Sequence, residues 1–85
     1  MKLETKLTLP ALARENFSYE VIERGDVFSC VDGIVYMILC IVRNDSNSNI
    51  ATVRALCGSK VYDIPEGIFS LKIKDKLVNM CKLAN

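Results

Sequence analysis

The stretch GDVFSCVDGIVYMILCIVRNDSNSN, residues 25–49, decides how this chain is read. From Ile34 to Val42 every residue is apolar or aromatic, and the chain then turns abruptly polar. A membrane-spanning helix needs about 20 apolar residues, well beyond this run. The run is rich in β-branched Ile and Val, contains Tyr36, and has turn signals at both ends. It therefore predicts a buried strand and excludes a helical membrane anchor.

Asp32-Gly33 between two β-type runs predicts a two-residue type I′ hairpin, which needs positive φ at both central residues. That turn sets Cys30 opposite Val35, Ser29 opposite Tyr36, Phe28 opposite Met37 and Val27 opposite Ile38. One face then carries Phe28, Cys30, Val35, Met37, Leu39 and Ile41, and the other Val27, Val31, Ile34, Tyr36, Ile38, Cys40 and Val42. Both faces are apolar, so the strand is expected to be covered on both sides. Asn44–Asn49, all small and polar, reads as a loop.

Working outward, KLETKLTL (2–9) alternates with Leu3, Leu7 and Leu9 on one side, until Pro10 stops the strand. ALAREN (11–16) is long enough for one helical turn. FSYEVIE (17–23) alternates with Phe17, Tyr19 and Val21 on one side. Further on, Gly58-Ser59 suits a type II′ hairpin joining IATVRALC to KVYDI. Its register sets Arg54 opposite Asp63 and puts Val53, Ala55, Cys57, Tyr62 and Ile64 on one face. Pro65-Glu66-Gly67 reads as a turn. IFSLKIK (68–74) alternates with Phe69, Leu71 and Ile73 in and Ser70, Lys72 and Lys74 out. DKLVNMCKLAN (75–85) places Leu77, Met80, Cys81 and Ala84 at helical spacing, with Asp75 at its start. The expectation is a single mainly β domain over residues 1–85: a small antiparallel barrel or roll of five to seven strands with a short C-terminal helix.

Composition narrows the chemistry. The chain has 85 residues, a net charge of +1 and no histidine. It divides into a +2 segment (1–14), a −4 segment (15–45) and a +3 segment (46–85). The missing histidine removes the commonest general base and metal ligand, and with it Ser-His and Cys-His nucleophile pairs. Cys30, Cys40, Cys57 and Cys81 are too widely spaced for a zinc knuckle or a CxxC redox motif. With no apolar signal segment at the N-terminus, they are expected to be free thiols that pack as small hydrophobes. No glycine-rich phosphate loop is present. The expectation is a protein that is not an enzyme and needs no cofactor or metal.

Two binding readings remain. Tyr19, Val35, Tyr36, Met37 and Leu39 combine interface-favoured residue types with surplus apolar strand surface, which points to a protein partner or to homodimerisation through the long strand. Lys72, Lys74, Lys76 and Lys82 would form a phosphate-contacting stripe for nucleic acid. A lysine-protected edge strand accounts for the same residues, so nucleic acid ranks second.

VIERGDVFSCVDGIVYMILCIV (21–42) followed by NIATVRALCGSKVYDI (49–64) resembles a pattern of small phage-encoded accessory proteins. That pattern has a GDVF start, a short hairpin, a YM strand and a second hairpin ending in a Tyr-Asp strand. The resemblance implies an SH3-like β-barrel and an accessory protein of a phage or prophage. Such a protein would act in the cytoplasm of a host cell by binding and inhibiting a host protein. It covers residues 21–64 and carries over no functional residues.

Overall fold

The computed structural model describes residues 1–16, 18–44 and 47–83. In chain order the elements are β1 (Lys2–Glu4), β2 (Lys6–Pro10), β3 (Tyr19–Glu23), β4 (Asp26–Cys30), β5 (Val35–Asn44), β6 (Asn47–Cys57), β7 (Lys60–Pro65), α1 (Glu66–Lys72), β8 (Ile73–Asn79) and α2 (Met80–Leu83). The main antiparallel sheet runs β7-β6-β5-β4-β8. Because Met37 pairs with Val27 and Leu56, and Ile41 pairs with Glu4 and Val53, β4 and β1 share the edge of β5 opposite β6. A second, two-stranded sheet, β2-β3, joins α1 in covering one face. The fold is mainly β with short helices, as expected, but the sheets do not close into a barrel.

The decisive hairpin differs from expectation by one residue. Ser29 faces Val35, Phe28 faces Tyr36 and Val27 faces Met37. The connection has three residues, with Gly33 N–H bonding Cys30 O at 3.0 Å and Cys30 N–H bonding Ile34 O at 2.9 Å. Gly33 takes φ +84°, and among the described residues no non-glycine has positive φ. Type I′ would force Asp32 into that region; a type I turn closed by a left-handed glycine does not. Asp32 Oδ1 instead accepts the N–H of Ile34 at 3.0 Å. A one-residue slip moves a whole side-chain set between faces. Phe28, Cys30, Tyr36 and Ile38 therefore share the covered face, all buried. Leu39 is an extra residue between the pairs Ile38↔Ala55 and Cys40↔Arg54. This bulge resets the phase, so Ile41 joins Ile38 in the core while Cys40 shares the opposite face with Arg54. The bulge carbonyl is satisfied by Arg24 Nε at 3.0 Å.

The second hairpin forms as expected. Cys57 faces Lys60, Arg54 faces Asp63, and Gly58 alone in the turn has positive φ. Asn47–Asn49, expected in a loop, belong to β6, and Asp45 and Ser46 lie outside the described residues. The N-terminal strand breaks at Thr5: β1 joins the main sheet and β2 the smaller one, leaving Leu3 exposed and Leu7 and Leu9 buried. Residues 11–16 form a turn closed by Arg14 N–H to Ala11 O at 3.3 Å. In β3 the buried residue is Ile22, while Tyr19 and Val21 are exposed; Phe17 lies outside the described residues.

The largest correction is at the C-terminal end, where helix and strand exchange places. Residues 66–72 are helix and 73–79 are strand, followed by a single helical turn. Phe69 and Ile73 fit an i, i+4 helical face as well as they fit alternation, and Pro65 stands at the N-cap. Phe69, Ser70 and Ile73 are buried, whereas Leu71, expected inside, is exposed. Of the expected helical face, Leu77 is an exposed strand residue, and Ala84 lies outside the described residues. The helix is anchored through its C-terminal carbonyls. Leu12 N–H bonds Ser70 O at 3.1 Å and Val31 N–H bonds Lys72 O at 2.8 Å. Both carbonyls would lack an intrahelical partner. Ser70 Oγ donates to Pro10 O. Phe28, Phe69, Tyr36 and Tyr62 form a chain of edge-to-face rings at 6.1–6.4 Å.

Phe69→Ala is expected to cost about 3–5 kcal/mol and Leu71→Ala less than about 1 kcal/mol in urea unfolding. Alternating strand geometry would make the two costs similar, so equal losses would rule out α1.

Candidate functional site

The face of the main sheet opposite α1 and the β2-β3 hairpin is where the apolar surplus collects. Direct pairings put Val78 beside Val27, Val27 beside Met37, Met37 beside Leu56, and Leu56 beside Val61. The five side chains form one row at right angles to the strands, crossing β8, β4, β5, β6 and β7. Val27, Met37, Leu56 and Val78 are half-buried and Val61 is exposed. None of the five belongs to the hydrophobic core. Cys40, Arg54 and Asp63 make the next row on one side, and Val35, Ser29 and Asp75 flank the other. Beyond Cys40, a hollow of about 360 Å³ is lined by Met1, Val42, Asn44, Ile50 and Thr52.

The one charged pair inside this face is internally neutralised. Arg54 Nε reaches Asp63 Oδ1 at 2.9 Å, and its Nη2 reaches Oδ2 at 3.3 Å. The guanidinium holds the Asp63 carboxyl below its usual 3.8, and the carboxylate raises Arg54 in turn. The face is therefore apolar at its centre, with a neutralised Arg-Asp pair on the flank beside Cys40.

The expected partner-binding residues separate. Val35 and Met37 lie on this open face, Val35 at 45% exposure. Leu39 is the half-buried bulge residue beside them. Tyr36, at 6% exposure, points into the core and is removed from any contact surface. Burial raises its phenol pKa. Tyr19 is exposed on the β2-β3 hairpin, a different sheet. β5 has strand partners on both edges, so a contact with a second copy through the long strand would have to use its open face and not its edge. Val27, Leu56, Val61 and Val78 were not singled out from sequence. The β4–β5 register joins Val27 to Met37, the β5–β6 and β6–β7 pairings add Leu56 and Val61, and Val78 joins only because residues 73–79 are strand and not helix.

The lysines do not form one stripe. Lys72 ends α1, while Lys74 and Lys76 belong to β8 and Lys82 to α2. Lys72 pairs with Asp32 at 3.2 Å and Lys82 with Glu23 at 2.7 Å. Asp32 is lowered first by the Ile34 N–H and then by Lys72, and Lys72 and Lys82 are raised by their carboxylate partners. Lys76 Nζ lies 3.3 Å from Asp26, bonds Val21 O at 3.1 Å and sits 5.7 Å from the Phe28 ring centre. Asp26 is 1% exposed. Its Oδ2 also accepts Glu23 N–H at 2.9 Å, and its Oδ1 accepts Asn79 Nδ2 at 2.8 Å. This is a structural clasp joining the β3–β4 turn to β8.

The cysteines are free, and three of the four sit as the sequence suggests: Cys30 and Cys40 are buried and Cys57 is half-buried, whereas Cys81 is exposed. Burial, with Asp32 nearby, pushes the Cys30 thiol up to about 11, so it stays protonated at neutral pH. Among the described residues no group of three or more His, Cys, Asp or Glu is placed to hold a metal, and no helix is long and apolar enough to cross a membrane. Comparison of the chain with protein-family models, curated proteins and solved structures finds no match.

Asp26→Ala is expected to destabilise by about 2–4 kcal/mol in chemical denaturation, because it leaves the Glu23 N–H and Asn79 Nδ2 donors without their acceptor, while Lys76 keeps Val21 O and solvent. A loss under 1 kcal/mol would show that the clasp carries no weight. Asp63 has a depressed folded pKa, so its contribution is complete above its unfolded value and disappears as pH falls through the folded one. Urea melts taken from about pH 5 down to about pH 2 should show Asp63→Asn losing less stability than wild type.

Proposed function

We propose that the protein is a non-enzymatic protein-interaction module of phage or prophage type. It binds and inhibits a host protein in the host cytoplasm and associates with a second copy of itself. The observation that carries the host-binding reading is the apolar row Val78–Val27–Met37–Leu56–Val61, on the sheet face opposite α1 and the β2-β3 hairpin and outside the core. Strands about 4.8 Å apart make that row roughly 20 Å long, the scale of the centre of a protein interface. Its anatomy fits as well. Methionine sits at the middle and a neutralised Arg-Asp pair at the rim, as in interfaces whose charges are excluded from the core. Three of the four lysines that would contact phosphates support the same reading. Lys72, Lys76 and Lys82 are engaged with Asp32, Asp26 and Glu23, in contacts that hold elements together.

Quantitative affinity capture from the host, with Met37→Lys and Leu56→Lys as matched baits, tests this. A host protein captured by wild type should fall at least about tenfold with both variants, while their melting temperatures stay near wild type. A wild-type capture profile identical to that of both variants would overturn the assignment to this face.

A further inference from the structure

We propose that the free edge of β7 pairs antiparallel with β7 of a second copy, about a two-fold axis at Tyr62. The pairing uses the strand edge and not the apolar face, so it stands or falls separately from the host-binding reading above.

The two ends of the main sheet differ. β8 meets β4 through two register shifts, between Val27 and Phe28 and between Ser29 and Cys30, and carries Lys74 and Lys76. Bulges and lysines are common means of blunting a sheet edge. β7 has neither in its interior. Its six residues keep one unbroken register with β6, and Lys60, Val61, Tyr62 and Asp63 are exposed. Among the described residues no strand pairs with its outer edge.

The hairpin fixes which backbone groups face outward. A two-residue turn makes Cys57 and Lys60 a hydrogen-bonded pair, and such pairs alternate with non-bonded ones along an antiparallel ladder. Lys60, Tyr62 and Ile64 thus bond to β6, while Val61 and Asp63 point N–H and C=O away from it. Pro65 falls at a non-bonded position opposite Thr52, where its missing N–H costs the ladder nothing. The outer edge therefore offers complete donor–acceptor pairs at Val61 and Asp63.

This pattern selects its own copy. Antiparallel self-pairing must match Val61 and Asp63 with each other or with themselves. Centred on Val61, only the two Val61 residues bond before the strand runs into its turn. Centred on Asp63, two carboxylates oppose directly, which is unfavourable. Centred on Tyr62, each Val61 bonds Asp63 of the other copy in both directions, giving four hydrogen bonds. Tyr62 then faces Tyr62 of the second copy at a non-bonded position, where side chains approach closest. Tyr62 is 42% exposed and held edge-on to Tyr36 at 6.1 Å, so it enters the contact already ordered. Asp63 is already neutralised by Arg54. The two main sheets become one continuous sheet.

Sedimentation velocity across a concentration series tests the pairing. Wild type is expected to dimerise. Val61→Pro removes an outward N–H and no bond to β6, so it should raise the dimer dissociation constant at least about tenfold with unchanged circular dichroism. Met37→Lys should leave it unchanged. In a Cys57→Ser, Cys81→Ser background, Tyr62→Cys should cross-link on oxidation, since facing Cα atoms about 4.5 Å apart accept a disulfide. A wild type that stays monomeric, a dimer retained in Val61→Pro, or a Tyr62→Cys chain that does not cross-link would each overturn the proposal.

Discussion

The structure depends on how one buried carboxylate is held. Asp26 begins β4, the strand that carries Phe28 and Cys30 into the core. An ionised group so deeply enclosed is tolerated only where its lone pairs and charge are met. Here Glu23 N–H, Asn79 and Lys76 meet them from three directions. The turn before it is equally constrained. Gly25 has φ +90°, its N–H bonds Ile38 O at 2.8 Å, and its carbonyl accepts Met80 N–H at 2.8 Å. A side chain there would meet Cys81 Sγ at 2.6 Å. One turn thus joins β3 to β4, β5 to that turn, and the C-terminal segment to the sheet.

That clasp explains why residues 73–79 are strand. Asn79 and Lys76 must reach Asp26 together, and extended pairing with β4 brings both there, with bulges absorbing the mismatch. A helix beginning at Asp75 would put Lys76 and Asn79 on one face, but would leave the edge of β4 unpaired. Local periodicity in DKLVNMC is too short to decide between these outcomes; the polar partners decide it.

The legible parts of the fold were those in which several signals agreed. The β6–β7 hairpin combines a glycine turn, an Arg-Asp cross-strand pair and a shared apolar face, and the sequence register holds at every pair. The β4–β5 hairpin offered only Asp32-Gly33, which suits a two- or a three-residue connection. Choosing the shorter one exchanged the inner and outer faces of half the strand. In IFSLKIK, Phe69 and Ile73 satisfy both periods, and the burial of Ser70 against Pro10 together with the exposure of Leu71 distinguishes them. The candidate face was legible as an excess of apolar residues in β5, but not as a row. A row exists only once five strands are in register, and two of those registers contain bulges.

The open face follows from the size of the second layer as much as from the residues on the sheet. The second layer consists of a five-residue hairpin pair and a seven-residue helix, enough to cover one side of a five-strand sheet. A sheet with a solvated second face ordinarily carries polar residues there. This chain places Val27, Met37, Leu56 and Val78 there instead, and folding alone does not require it, since polar residues at those positions would leave the core intact. Where local patterning departs from what the fold requires, the departure points to function. The protein's contact chemistry is therefore sought on the sheet itself: its open face for a foreign surface, and its one unblunted edge for a second copy.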